Sequence, residues 1–360
     1  MDKIEGVVNE SRQVFDLPPI EIYVTEYQSI KKECTKCNQI NYGEFPQNVL
    51  APTQYGERIK AFCVMMNIDY KVPFQKIGGL IKDLVGIDIN ESTLINANKK
   101  CFELLSPSEE QIKLNLKNSL LVNADETGIN ISKKIYWVHN VSNEKCTYQF
   151  IHSKRGIEAM QDEKSILSEY KGIVVHDCWA SYFKLEKIEH AICGAHIIRE
   201  LNALIEQGIQ WASKFSEFYK GIYGNSVSQN NRNRKKILSK YSQILYQGII
   251  EEPLPQRNGK RGRLKKSKGL NLILRLKEYK KNVMSFAFDE SIPFTNNQAE
   301  RDLRHCKTKL KIAGCFRTVE GAQQYARISS FSSTLRKNSI NVLETLTSIF
   351  KGESVSLDLT

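Results

Sequence analysis

Apolar residues recur at helical spacing from Gly56 to Leu105, which predicts three helices over ERIKAFCVMMN, PFQKIGGLIKDLVG and NESTLINANKKCFELL. Pro73 suits the first turn of the second helix, and Gly86 suits its stop. After Pro107 the period changes to two. SLLVNADET, KKIYWVHNVS and KCTYQFIHS are rich in β-branched and aromatic residues, and the turns between them are short enough for antiparallel hairpins, so a three-stranded meander is expected. RGIEAMQDEKSILSEY reads as a helix leading into GIVVHD, a short apolar run of the kind that lies as a central strand in a sheet covered on both faces, and HAICGA is another such run. From His196 to about Met284 only helical and loop patterns follow. A further helix opens near Asn296, and two more helix-like stretches run on from Gly314 to Phe350.

These elements predict an α/β fold: a mixed sheet flanked by helices, interrupted by an all-helical insertion and preceded by a helical N-terminal domain. The expected division is 1–50, an irregular N-terminal segment; 51–107, helical; 108–195, the first part of the core; 196–285, the insertion; and 286–352, the last part of the core. Within the first segment Pro18, Pro19 and Pro46 break the pattern, and Ile20–Tyr27 is its one strand-like run.

Composition then narrows the class. The 360 residues carry 52 Lys and Arg against 40 Asp and Glu, a net charge of +12, which favours an extended polyanion such as nucleic acid over a small acidic substrate. No run of some eighteen apolar residues and no signal-peptide pattern occurs, so the chain is expected to be cytoplasmic, with no membrane partner. The nine cysteines, an odd number without framework spacing, fit reduced thiols.

Three carboxylates stand out. Asp125 closes the apolar run SLLVNADET and Asp177 closes GIVVHD, and ligands of α/β sheets gather outside the carboxyl ends of strands. Strand alternation turns Glu126 away from Asp125 and His176 away from Asp177. In PFTNNQAERDLR, Thr295 and Gln298 have the spacing of a capping box, which puts Glu300 in the first or second turn of a helix. Taken alone, Glu300 could simply pair with Arg304 at i+4. Two strand-end acids and one helical acid in a basic chain instead suit Mg²⁺ or Mn²⁺, and two such ions would serve in-line phosphodiester displacement.

The motifs APTQYGERIKAF, VNADETG, GIVVHDCWASYFK, HAICGAHIIREL and PFTNNQAERDLR, in this order, resemble those of transposases of the insertion sequence 66 family, from about Arg12 to Gly352. The resemblance implies a DDE transposase with a ribonuclease-H-like core, whose acids are Asp125, Asp177 and Glu300 and whose cofactor is Mg²⁺ or Mn²⁺. It implies cleavage at the ends of a mobile element and joining of the freed 3′-hydroxyl to target DNA. The partners are then double-stranded DNA at element ends and target, a homo-oligomer on that DNA, and accessory transposition proteins. The rival reading is a catalytically inactive or truncated transposase-derived DNA-binding protein. The family also carries Cys193 and His196 as a CxxH motif, for which a packed histidine and a metal ligand are both open readings.

Basic segments complete the picture. QRNGKRGRLKKSK has seven Lys or Arg between Arg257 and Lys268 and no acid, so Lys260, Arg261, Arg263, Lys265 and Lys266 are expected to follow phosphates without reading bases. Arg304, Lys307 and Lys311, together with Arg301, are further DNA-contact candidates on the Glu300 helix. Pro73 to Lys100 resembles a helix-turn-helix with NESTLINANKK as its second helix, capped by Asn90 or Ser92. Cys34 and Cys37 have zinc-knuckle spacing, but a structural zinc needs four ligands. In the family an earlier cysteine pair completes that module, and this chain is expected to begin after it, so zinc binding by these two thiols alone is not expected.

Overall fold

A computed structural model describes residues 8–224, 231–253, 255 and 264–357. Two short strands, β1 (Lys31–Glu33) and β2 (Ile40–Tyr42), form an exposed hairpin. Ile20–Tyr27 is not a strand: it is almost wholly exposed, so its β-branched residues have neither a ladder partner nor an apolar face to bury. The three expected helices follow as α1 (Glu57–Ile68), α2 (Phe74–Val85) and α3 (Glu91–Leu104). Gly86 closes α2 with φ at 73°, a left-handed position that a side chain would strain. Ile77 and Ile81 of α2 and Leu94 of α3 share a small core with Cys63 and Ile89. Asn90 is the N-cap residue of α3, without a capping hydrogen bond from its side chain.

Residues after Pro107 do not pass directly to strands. They form α4 (Ser106–Asn118), because Pro107 sits in the first turn, where a missing N–H breaks no helical bond. Then come β3 (Leu121–Ile131), β4 (Lys134–Ser142) and β5 (Thr147–His152), the expected antiparallel meander. Ser132 and Lys133, both at positive φ (46° and 66°), make the tight β3–β4 turn.

The long helix predicted after β5 is only α5 (Ile157–Met160) and a 3₁₀ turn at Ile166–Ser168. Tyr148 donates to the Lys164 carbonyl, and Ser165 caps the 3₁₀ turn, which takes the intervening backbone out of a continuous helix. Parallel strands β6 (Ile173–His176) and β7 (Glu189–Ile192) complete a sheet of order β5-β4-β3-β6-β7, so β3 is the central strand and β6 its neighbour.

Helices α6 (Gly194–Ile205), α7 (Gln210–Gly224), α8 (Asn231–Glu251), α9 (Lys268–Glu278) and α10 (Lys280–Val283) surround a second core that includes Trp211, Phe215, Tyr219, Tyr241 and Ile273. The chain returns through α11 (Asn297–Ala313), α12 (Val319–Lys337) and α13 (Val342–Lys351). Leu303 and Cys306 of α11 and Phe331 of α12 join the core of the sheet, while α13 packs on α1. Among the described residues, no helix is long and apolar enough to cross a membrane.

Candidate active site

Parallel pairing of β3 with β6 matches Leu121 to Ile173 and Asn123 to Val175. Two residues further along each chain stand Asp125 and Asp177, level with each other and on one face of the sheet. Asp125 is not strand-terminal as expected. β6 stops at His176, but β3 runs on to Ile131 because β4 continues to pair with it, opposite Asn140 at Asp125 itself. Asp177 accepts the Trp179 backbone N–H at 3.0 Å, which fixes its carboxylate just past the strand.

The electrostatics mark these residues out. Burial, then the like charge of Glu126 and that of Asp177, push Asp125 up to about 7, against the Glu126 N–H and the Lys307 ammonium, which pull it down. The native protein therefore holds a proton between pH 3.8 and about 7 that the unfolded chain has lost. Stability falls as pH rises through this window. Asp125→Asn removes that dependence, and thermal melts from pH 5 to 8 should show the variant gaining on the parent by about 1–2 kcal/mol at the upper end. A gap constant with pH would refute the assignment.

Glu126 points to the other face, as alternation requires. Its wholly buried carboxylate accepts from Arg155 at 2.8 Å and from the Tyr182 hydroxyl at 2.8 Å. Arg155 in turn lies over Trp137 (5.0 Å) and Trp179 (4.1 Å). A chain from the buried Glu126 through the half-buried Arg155 to Trp137 and Trp179 thus backs the loop that carries Asp177. His176 also turns away, stacked on Tyr182 and in contact with His190 through Nε2 at 3.1 Å.

The start of α11 is held to β3 by a buried side chain. Asn296, 1% exposed, donates to the Ala124 carbonyl at 2.8 Å and accepts from Asn123 at 2.9 Å. Its backbone N–H donates to Cys193 Sγ at 3.1 Å, and the Gly194 N–H donates to the Phe294 carbonyl at 2.7 Å. The predicted capping box is absent. Asn296, not Thr295, precedes the helix, its side chain is committed to β3, and Gln298 donates to Asp302. A Cβ on Gly194 would lie 2.2 Å from the Phe294 ring, so only glycine allows α6 this close to the α11 approach.

Glu300 lies one turn beyond Asn296, and its partner is not Arg304. Arg199 of α6 donates to its two oxygens at 3.1 and 3.5 Å, and His196 Nδ1 lies 3.8 Å away. Among the described residues, the metal-competent set whose ligand atoms all lie within 4.8 Å of one another is Cys193, His196 and Glu300; Asp125 and Asp177 do not join Glu300 in a cluster that tight. Asn123, Glu126, Arg155 and Arg199 were not singled out as site residues by sequence reasoning.

Residues 52–324 match the family described as Transposase IS66 family. The chain belongs to this family. No curated protein matches it. The matched region of the IS66-family chain takes in both aspartates, Glu300 and the whole five-stranded sheet.

The remaining expected sites are spread more widely. Arg301, Arg304, Lys307 and Lys311 are exposed along α11. Lys265 is exposed and Lys266 half-buried before α9, while Lys260, Arg261 and Arg263 lie outside the described residues. Cys34 and Cys37 flank the β1–β2 turn, where the Asn38 N–H donates to the Cys34 carbonyl at 2.8 Å. N–H groups of Lys36 and Cys37 lower the Cys34 thiol, but no third Cys, His, Asp or Glu joins the pair among the described residues.

Proposed function

We propose that this IS66-family chain is a DDE transposase whose Asp125, Asp177 and Glu300 serve Mg²⁺-dependent cleavage of DNA at element ends and transfer of the freed strand into target DNA. The observation that carries the reading is the level placement of Asp125 and Asp177 on adjacent parallel strands, with the residue before Asp125 tied through Asn296 to the helix of Glu300. The sheet order and strand directions support a ribonuclease-H-like core. The residues fit a hard cation: Asp125 is raised by burial first and by the neighbouring carboxylates of Glu126 and Asp177 after it, a cation would offset that cost, and oxygen ligands are what Mg²⁺ takes.

Asp125, Asp177 and Glu300 would hold the ion, which when bound neutralises phosphate charge and activates the attacking oxygen. The chain's own groups do the rest. The Trp179 N–H orients Asp177, and Asn296 fixes the start of α11 against β3. Arg199 neutralises Glu300 until its carboxylate is recruited. Lys307, close enough to lower Asp125, sits where a substrate phosphate would approach, with Arg304 and Lys311 extending the positive row along the helix. Those side chains follow the backbone of the duplex and carry no sequence code.

The silent DNA-binding alternative draws support from one observation, the engagement of Glu300 by Arg199. Fluorescence-anisotropy titrations across a salt series test the basic row. Replacing Arg304, Lys307 and Lys311 with Gln should weaken binding to duplexes of any sequence and make log K against log salt shallower by about three units. An unchanged slope would remove α11 from the DNA interface.

A further inference from the structure

We propose that Cys193, His196 and Glu300 form a binding site for a thiophilic divalent cation of the zinc class, set between α6 and α11 and distinct in chemistry from the all-oxygen site of the aspartates. One sulfur, one imidazole nitrogen and one carboxylate oxygen come together within 4.8 Å of one another. Three protein ligands of this mixed kind, with a fourth position open, are a familiar zinc arrangement, whereas Mg²⁺ takes oxygen alone.

Two further observations point to an ion. His196 Nδ1 is buried and has no hydrogen-bond partner. It stands 3.8 Å from Glu300 Oε1, too far for a hydrogen bond. The edge of a tetrahedron with metal–ligand bonds of about 2.1 Å is about 3.4 Å, so a spacing that fails as a direct contact suits two ligands sharing one cation. A buried nitrogen left without a partner carries a cost, and coordination would remove it.

The sulfur is fixed in position as well. Cys193 is fully buried at the N-cap of α6, and the Asn296 N–H donates to its Sγ at 3.1 Å. Burial raises the Cys193 thiol, and the N–H groups of Asn296, His196 and Ala195 oppose that rise only in part. Thiolate and carboxylate together balance a doubly charged ion, while Arg199 supports the carboxylate from outside. A role for Cys193 as a mere acceptor for Asn296 accounts for the sulfur but leaves His196 Nδ1 unexplained.

Glu300 is shared with the proposed catalytic acids, so the test reads binding directly. In the full chain carrying Cys34→Ser and Cys37→Ser, which removes the hairpin thiols, Co²⁺ should bind at one equivalent with thiolate-to-cobalt charge-transfer absorption. Zn²⁺ should displace it and raise the melting temperature. Cys193→Ser should abolish the charge-transfer band. His196→Ala, at a half-exposed residue where folding is not at stake, should weaken Co²⁺ binding at least about tenfold. Absence of the band in folded parent protein, its persistence in Cys193→Ser, or unchanged affinity in His196→Ala would each overturn the site. Asp177→Asn should leave the band intact, so this proposal and the catalytic one fail separately.

Discussion

Asp177→Asn is expected to abolish Mg²⁺-dependent nicking of DNA, lowering the rate by more than roughly 100-fold, a loss that disruption of even outer-shell ligand partners can reach. Asn keeps the size of the side chain and can still accept the Trp179 N–H that now binds the Asp177 carboxylate at 3.0 Å, so the local fold should survive. What it loses is the negative charge facing Asp125. DNA binding should be unchanged or slightly tighter, because a negative charge has been taken from a basic surface. The discriminating pattern is lost nicking with retained gel-shift affinity. Equal loss of both would point to misfolding, and retention of both would remove Asp177 from the site.

Asn296→Ala should come second in effect. The substitution leaves the Ala124 carbonyl and the Asn123 amide without their partner in a buried position, at a cost of about 2–3 kcal/mol. Its larger consequence is geometric. Asn296 is the side chain that fixes the start of α11 against the strand of Asp125, and displacement of a catalytic group by about 1 Å can cost on the order of 100-fold in rate. The expected signature is a fall in turnover on bound DNA with little change in DNA affinity, alongside a lowered melting point. A variant that melts lower but turns over normally would make Asn296 a purely structural residue.

Much of this arrangement was legible from local pattern, and the parts that were not are long-range. The apolar spacing of α1 to α3 and the alternation of β3 to β5 each depend on neighbours within a few residues, which is why periodicity finds them. Pro107 misled because proline reads as a breaker unless its place in the first turn is known. Thr295 and Gln298 have capping spacing, but the sheet claims Asn296 across 172 residues, and that bond decides where the helix begins. Glu300 offered Arg304 at i+4, yet its partner is Arg199, 101 residues earlier. An intrahelical pair is worth only a few tenths of a kcal/mol, so tertiary packing easily overrides it. The shared face of Asp125 and Asp177 was legible because strand alternation and the end of β6 are local facts, whereas the Cys193–His196–Glu300 cluster appears only once α6 and α11 are brought together.

The most direct measurement is a joining assay: end-labelled duplex carrying the terminal sequences that flank this coding region, incubated with the full chain, Mg²⁺ and a supercoiled target plasmid. The account predicts labelled strand covalently joined to plasmid, absent with EDTA and absent with Asp177→Asn. Protein that shifts the labelled duplex but yields neither nicked nor joined product at any Mg²⁺ concentration would contradict it, and would leave a DNA-binding protein without chemistry.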